Sequence, residues 1–199
     1  MAMLIATSAI LYEQMDRGRR NYHRQLERLA TWDPLTGAFN RYALERRAEV
    51  ELARSRRHGH PLAVLIVDAD HFKRINDTHG HGTGDKVLSR LALLLQSHSR
   101  REDVVARWGR EEFVLLLPDT PARNAVAVAQ KMREAIANAD FTDLAERLEV
   151  TISVGAAELS AKESISDLLR RADMALYQAK DGGRNKVCKA SPLGAPMPA

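Results

Sequence analysis

At 199 residues the chain is long enough for one ordinary domain with a short appendage and too short for two full ones. With 45% apolar and 28% charged residues it is not a disordered chain, and its single cysteine excludes both a disulfide framework and a cysteine-based zinc site, in keeping with a reducing compartment. The net charge is a mild +4, and although arginine crowds the first third, only 5% of residues are aromatic and no run interleaves them with basic side chains, which sets nucleic-acid binding aside.

Residues 1–12 are almost wholly apolar, and polarity rises abruptly at Glu13. Spanning a bilayer takes about 20 apolar residues, so this stretch does not span one alone, and it lacks the basic start and cleavage site of a signal peptide. Two readings stay open. One is the end of a membrane helix whose upstream part precedes this sequence, which places a cytoplasmic domain at the inner face of a membrane. The other is a short apolar helix packed on a dimer partner or on the domain. Residues 13–31 predict a helix, and Leu11, Met15, Tyr22 and Leu29 fall at a/d-like steps along this stretch, interrupted at Gly18 and Gln25. It reads either as a short parallel coiled coil or as a solvated helix.

The domain proper is expected over residues 32–190. Asp33-Pro34-Leu35-Thr36-Gly37 supplies turn chemistry, and a helix follows over residues 41–57, closed by His58-Gly59-His60-Pro61. Residues 62–67 (LAVLIV) form a continuous branched apolar run, the pattern of a strand buried on both faces, and it ends in Asp68-Ala69-Asp70. Gly80, Gly82 and Gly84 lead into a helix with Val87, Leu88, Leu91, Leu94 and Leu95 on one face. Strands over 104–108 and 112–117 make a hairpin. A helix presenting Ala125, Val128, Ala129, Met132 and Ile136 is followed by a strand over 150–156. The last helix buries Ile165, Leu168, Leu169, Ala172, Leu176 and Ala179, and Gly182-Gly183 stops it. A short edge strand is expected near residues 186–188, then a disordered tail over 191–199. The order β-α-β-β-α-β predicts an α+β, ferredoxin-like (palm-type) antiparallel sheet with helices on one face.

Acidic groups fall at two places, Asp68 and Asp70 at the end of the first strand and Glu111 and Glu112 at the hairpin. That topology puts the first strand beside the hairpin, so the two groups converge at one edge. Two carboxylates and a backbone carbonyl are what Mg²⁺ takes from a protein when phosphates and water complete its shell. On spacing alone the plain alternative, solvated acids at strand ends, is the stronger one. Further polar groups tip the balance toward a nucleotide site. Residues 70–73 begin a turn whose N–H groups can face an anion, with Lys73 as its cation. Asn76, His81 and Asp85 can read a base edge, and Lys180 and Arg184 can reach a phosphate.

These residues also carry a resemblance. Asp33-Pro-Leu-Thr with Asn40-Arg41, Asp68-Ala-Asp-His-Phe-Lys-Arg-Ile-Asn-Asp77, Gly80-His81, Gly84-Asp85, Arg107-Trp-Gly-Arg-Glu-Glu-Phe113, Thr151-Ile-Ser-Val-Gly155, and Ala172-Asp, Ala175-Leu-Tyr, Ala179-Lys and Gly183-Arg-Asn185 stand in family order over residues 32–187. The chain resembles the GGDEF family, the diguanylate cyclases of bacterial second-messenger signalling. The resemblance implies condensation of two GTP into cyclic di-GMP with release of pyrophosphate, in a homodimer whose sites face each other, driven by an upstream sensor or membrane segment. It implies that Asp68, Glu111 and the Ala69 carbonyl bind Mg²⁺ (or Mn²⁺) and that Glu111 is the base for the 3′-hydroxyl. Lys73, with the backbone of His71 and Phe72, would stabilise phosphate charge. Asn76, His81 and Asp85 would recognise guanosine, and Lys180 and Arg184 would hold phosphates.

The signature departs from the family at Arg110, where glycine is the rule. Glycine there suits a turn of positive φ and leaves room for the nucleotide, so arginine is expected to strain the turn and crowd the pocket. Arg100-Arg-Glu-Asp103 resembles the family's inhibitory product site, with Lys131 in place of a second arginine, which keeps charge but loses bidentate geometry. Two functions therefore remain: an active cyclase, or a catalytically silent module that binds cyclic di-GMP at Arg100 and Asp103 and signals to a partner.

Overall fold

All eight residues of strand β1 (Leu62–Ala69) are buried, as an apolar run without alternation requires of a strand covered on both faces. In the computed structural model, which describes residues 30–191, β1 follows helix α1 (Arg41–His58). After it come α2 (Phe72–His79), α3 (His81–Ser97), β2 (Val104–Arg107), β3 (Glu112–Pro118), α4 (Ala122–Ala137), β4 (Ile152–Glu158), α5 (Ile165–Asp181) and β5 (Val187–Lys189). The sheet order β2-β3-β1-β4-β5 puts β1 at the centre, antiparallel to β3 and to β4. The apolar segment over 1–12, nearly all of the helix expected over 13–31 and the tail beyond Ser191 lie outside the described residues. Among the described residues no helix is long and apolar enough to cross a membrane.

The β-α-β-β-α-β order is present as β1-α3-β2-β3-α4-β4, with two departures. Strand β5 runs parallel to β4, pairing Val187 with Val154, so the sheet is mixed. Helices also cover both faces. Ala63, Leu65 and Val67 of β1 pack with Leu88 and Leu91 of α3 and Ala129 and Met132 of α4. Leu62, Val64 and Ile66 pack with Leu44 and Ala48 of α1 and Leu168 and Leu176 of α5. The two helices inside the ferredoxin-like order thus share one face as expected, and α1 and α5, which flank that order, bury the other. A strand apolar on both sides demands both layers.

Element ends follow local chemistry. Asn40 caps α1, its side chain accepting from the Ala43 N–H, and Gly59 ends it in a left-handed conformation at φ 69°. Ser164 caps α5 by accepting from the Asp167 N–H. Strand β1 runs two residues past the apolar run because Asp68 and Ala69 still pair with β4, whereas β2 stops at Arg107 and leaves Trp108 in the turn. Helix α2 occupies a stretch whose sequence suggests only a turn. Its eight residues bury Phe72, Ile75 and Asn76, too few for periodicity to register.

Gly155, in the middle of β4, is fixed by packing. A Cβ there would stand 2.0 Å from the Ala172 carbonyl oxygen and 2.4 Å from the Leu176 nitrogen, both backbone atoms of α5. Gly155→Ala is therefore expected to destabilise the domain by about 3 kcal/mol or more, the upper end of ordinary overpacking. Denaturant unfolding checks this, and a loss below about 1 kcal/mol would mean that β4 and α5 are not in backbone contact.

Candidate active site

The strand pairing delivers the acids. Asp68 lies opposite Glu112 of β3 and Ser153 of β4, and the Ala69 N–H donates to the Glu111 carbonyl at 3.3 Å, which ties the β2–β3 turn to the end of β1. Asp68 is only 6% exposed, and Lys180, in the last turn of α5, places its Nζ 2.9 Å from Asp68 Oδ2. Burial pushes the Asp68 carboxyl up to about 6; Lys180 opposes this, while the charges of Glu111 and Glu112 add to it. The predicted convergence of Asp68 with the hairpin acids is thus present.

A divalent cation fits this donor set. Among the described residues no three or more His, Cys, Asp or Glu side chains are gathered as a ready-made metal cage. Mg²⁺ asks for less than that, and a desolvated carboxylate facing two further negative charges is an environment a cation relieves. Lys180 supplies that positive charge to Asp68 here.

Asp70 is a correction. It does not join the acidic cluster: Ser153, Thr151 and the Asn185 N–H all donate to its carboxylate, which is buried.

The signature turn is held from below by Arg107, which heads the motif in the sequence but is given no role there. Arg107 donates from Nε to the Gly109 carbonyl at 3.2 Å and from one Nη to the Arg110 carbonyl at 2.9 Å, while its other Nη reaches both Asp33 oxygens at 3.2 and 3.3 Å. Burial acts to raise the Asp33 carboxyl, but hydrogen bonds from Thr36 and the charge of Arg107 outweigh it and hold the group below its ordinary value. The turn that Asp33 anchors closes through Gly37 N–H to Asp33 O at 2.9 Å and then runs Phe39 along β2, with Phe39 N–H on Val105 O and Arg107 N–H on Phe39 O. Asp33 reads in the sequence only as turn chemistry. A signal was available in its Asp-Pro-Leu-Thr setting, but its partner lies 74 residues away.

Arg110 corrects a second expectation. It is exposed and is not among the residues with positive φ, so the turn imposes no left-handed backbone on it. The tight position is Gly109, where a Cβ would stand 2.6 Å from Glu112 Oε2.

The remaining candidates lie at α2, on α3 and in the turn after α5. His71 is exposed with φ 54°, Phe72 is buried, and Lys73 is exposed in the first turn of α2. Asn76 is 8% exposed and packs on Gly84, where a Cβ would come within 2.0 Å of Asn76 Oδ1. His81 and Asp85 are exposed one turn apart at the start of α3. Arg184 is exposed in the turn after α5, with φ 59°. In the turn between α3 and β2, Asp103 Oδ2 accepts from the Arg100 N–H at 2.7 Å, while Asp103 Oδ1 is buried without a hydrogen-bond partner. Burial raises the Asp103 carboxyl above its ordinary value. Arg100 is exposed, and so is Lys131 on α4.

Comparison with known proteins gives these features a family. The model "Diguanylate cyclase, GGDEF domain" matches residues 30–186. The chain is 42% identical over 176 residues to the diguanylate cyclase DgcP of Pseudomonas aeruginosa, covering 87% of this chain and 26% of that protein. It is 40% identical over 172 residues to the diguanylate cyclase DgcM of Escherichia coli, covering 86% of this chain and 41% of that protein. It thus spans less than half the length of either relative. Its fold matches the coiled coil and GGDEF domain of DgcB from Caulobacter crescentus, solved in complex with c-di-GMP. That match has a TM-score of 0.84 at 31% identity and covers 94% of this chain and 99% of that one. With the buried acid at the end of β1, the clasped signature turn and a family match over nearly the whole described chain, the protein belongs to the GGDEF family.

Proposed function

We propose that the chain is a diguanylate cyclase, condensing two GTP molecules into cyclic di-GMP and pyrophosphate across a homodimer with one GTP in each protomer. The observation that carries this reading is the desolvated Asp68, drawn together with Glu111 and Glu112 and paired with Lys180. Asp68, Glu111 and the Ala69 carbonyl are the groups that would hold Mg²⁺ or Mn²⁺. When bound, such an ion supplies positive charge to the phosphate oxygens.

The chain's own residues do the rest. Glu111 takes the proton from the 3′-hydroxyl of one GTP; the freed oxygen bonds to the α-phosphorus of the other, and the bond to pyrophosphate breaks. Lys73 and the N–H groups of Phe72 and His71 steady the phosphates, and Lys180 and Arg184 hold them from the end of α5. Asn76, His81 and Asp85 face the guanosine. The Asp85 carboxylate accepts from guanine N1–H and the 2-amino group, a donor pair that adenine lacks. Arg100, Asp103 and Lys131 form a separate product site, where the unpaired Asp103 oxygen is an acceptor waiting for a donor.

Asp68→Asn is expected to abolish metal-dependent GTP turnover and to raise the melting temperature at pH 7 without metal by roughly 3 °C. The sign follows from linkage. A carboxyl raised to about 6 from 3.8 binds its proton more tightly in the folded state, so its ionisation penalises the fold above about pH 6 and ceases to do so below 3.8. The advantage of the Asn variant should therefore fade as pH falls through that window. Retained turnover, or a variant destabilised at pH 7, would remove Asp68 from this role.

The unstrained backbone at Arg110 supports an active enzyme and leaves side-chain bulk as the one obstacle. Arg110→Gly is expected to raise kcat while changing stability by less than about 0.5 kcal/mol, as for an exposed site. Chromatographic detection of cyclic di-GMP from Mg²⁺ and GTP measures the first and thermal unfolding the second. An unchanged kcat would show that Arg110 is tolerated.

Arg100→Ala is expected to remove cyclic di-GMP binding in calorimetry and to lift product inhibition, since an arginine fork grips a guanine edge or phosphate. Equal affinity in the variant would place the product elsewhere. A wild type that binds product at Arg100 yet makes none would replace the cyclase reading by the silent module.

A further inference from the structure

Asp70 follows the acidic end of β1 yet turns its carboxylate to another task. The residue is 4% exposed and both oxygens are engaged. Oδ1 accepts from the Ser153 hydroxyl at 2.7 Å, and Oδ2 accepts from the Thr151 hydroxyl at 2.8 Å and from the Asn185 N–H at 2.9 Å. Asn185 is 115 residues further along the chain. It lies in the turn after α5, where Arg184 and Asn185 have consecutive left-handed conformations at φ 59° and 45°. Two such residues in succession persist only where the surroundings over-determine them. Here the surroundings are the Asp70 carboxylate, the Arg184 N–H donating to Ala179 O at 3.0 Å, and Arg133 donating to Asn185 Oδ1 at 3.0 Å. Asp70 also immediately precedes His71, itself at φ 54°, and helix α2, which carries Lys73. One buried carboxylate therefore joins the two backbone segments that bear Lys73 and Arg184.

We infer that Asp70 is a positioning residue. It clamps the turn 182–185 to the β1–α2 junction, so that Arg184 and Lys73 meet a triphosphate at a fixed separation. This rests on the nucleotide reading above. The clamp works through hydrogen-bond acceptance rather than charge. An Asn can replace it, its Oδ1 accepting from Thr151 and Asn185 while its amide donates to a reversed Ser153 hydroxyl; Ala cannot.

The test is calorimetry with Mg²⁺ and a non-hydrolysable GTP analogue on the wild type, Asp70→Ala, Asp70→Asn, Arg184→Ala and the Asp70→Ala/Arg184→Ala double variant. Asp70→Ala and Arg184→Ala should each weaken binding about tenfold, and the double variant should lie within about twofold of Arg184→Ala alone. Asp70→Asn should restore affinity to within about threefold of the wild type. Additive losses, or an Asn variant as weak as the Ala one, would overturn the assignment. Should Asp70→Ala fail to fold, hydrogen exchange on the wild type decides: the Asn185 amide should be protected about a hundredfold over a free turn amide, and unprotected exchange removes the clamp. A wild type that binds no analogue overturns the nucleotide reading and this assignment with it; protection at Asn185 would then trace the failure to the reading rather than to the clamp.

Discussion

An ionisable carboxyl at the end of a strand covered on both faces has lost much of its water, and the surrounding structure answers to that loss. Asp68 is in this position because β1 is central in the sheet and paired on both edges. Its cation comes from Lys180, and Lys180 can arrive only because α5 lies against β4 closely enough for backbone to meet Gly155. Glu111 and Glu112 then add charge of the same sign beside Asp68, which no structural need explains. A fold optimised for stability alone would not set two further acids beside a buried carboxyl that one lysine already answers, and such a departure is characteristic of sites kept for chemistry.

The second layer of support is electrically quieter. Arg107 gathers two carbonyls of the signature turn and one carboxylate from the segment entering the domain, so that the turn is shaped by a guanidinium beneath it rather than by glycine at every position. Arg110 accordingly sits in this turn without a left-handed backbone, while Gly109, facing the Glu112 carboxylate, has far less latitude.

Much of this was legible in the sequence. The LAVLIV run identifies β1, the periodic faces of α3, α4 and α5 mark the core, and the chain order places Asp68 beside the hairpin acids. The proposed substrate and reaction rest on motif resemblance, since carboxylates at strand ends do not name a nucleotide. What stayed hidden depends on distant partners. Helix α2 is too short to show a period, and β5 declares neither its direction nor its partner. Coverage of the second sheet face by α1 and α5 follows from β1 having two apolar faces, but the β-α-β-β-α-β order alone does not say which helices supply it. The roles of Asp70 and Arg107 rest on contacts with Asn185 and Asp33, each far off in sequence, and adjacency to Asp68 made Asp70 look like one more site acid.

The placement of the aromatic side chains has an optical consequence. The chain has 2 tryptophans, one in the clasped turn and one beside the Asp33 that helps hold it. Trp108 lies within it with the Arg41 guanidinium 4.2 Å from its ring centre, and Trp32, next to Asp33, stacks on Phe39 at 4.2 Å. Indole emission is sensitive to a nearby cation and to ring stacking, so the tryptophan fluorescence of the unlabelled protein, excited where tyrosine does not absorb, reads out this one corner. Any rearrangement that loosens Arg107 from Asp33 would alter the surroundings of both emitters together, whereas events on the α3–α4 side of the sheet would pass unseen.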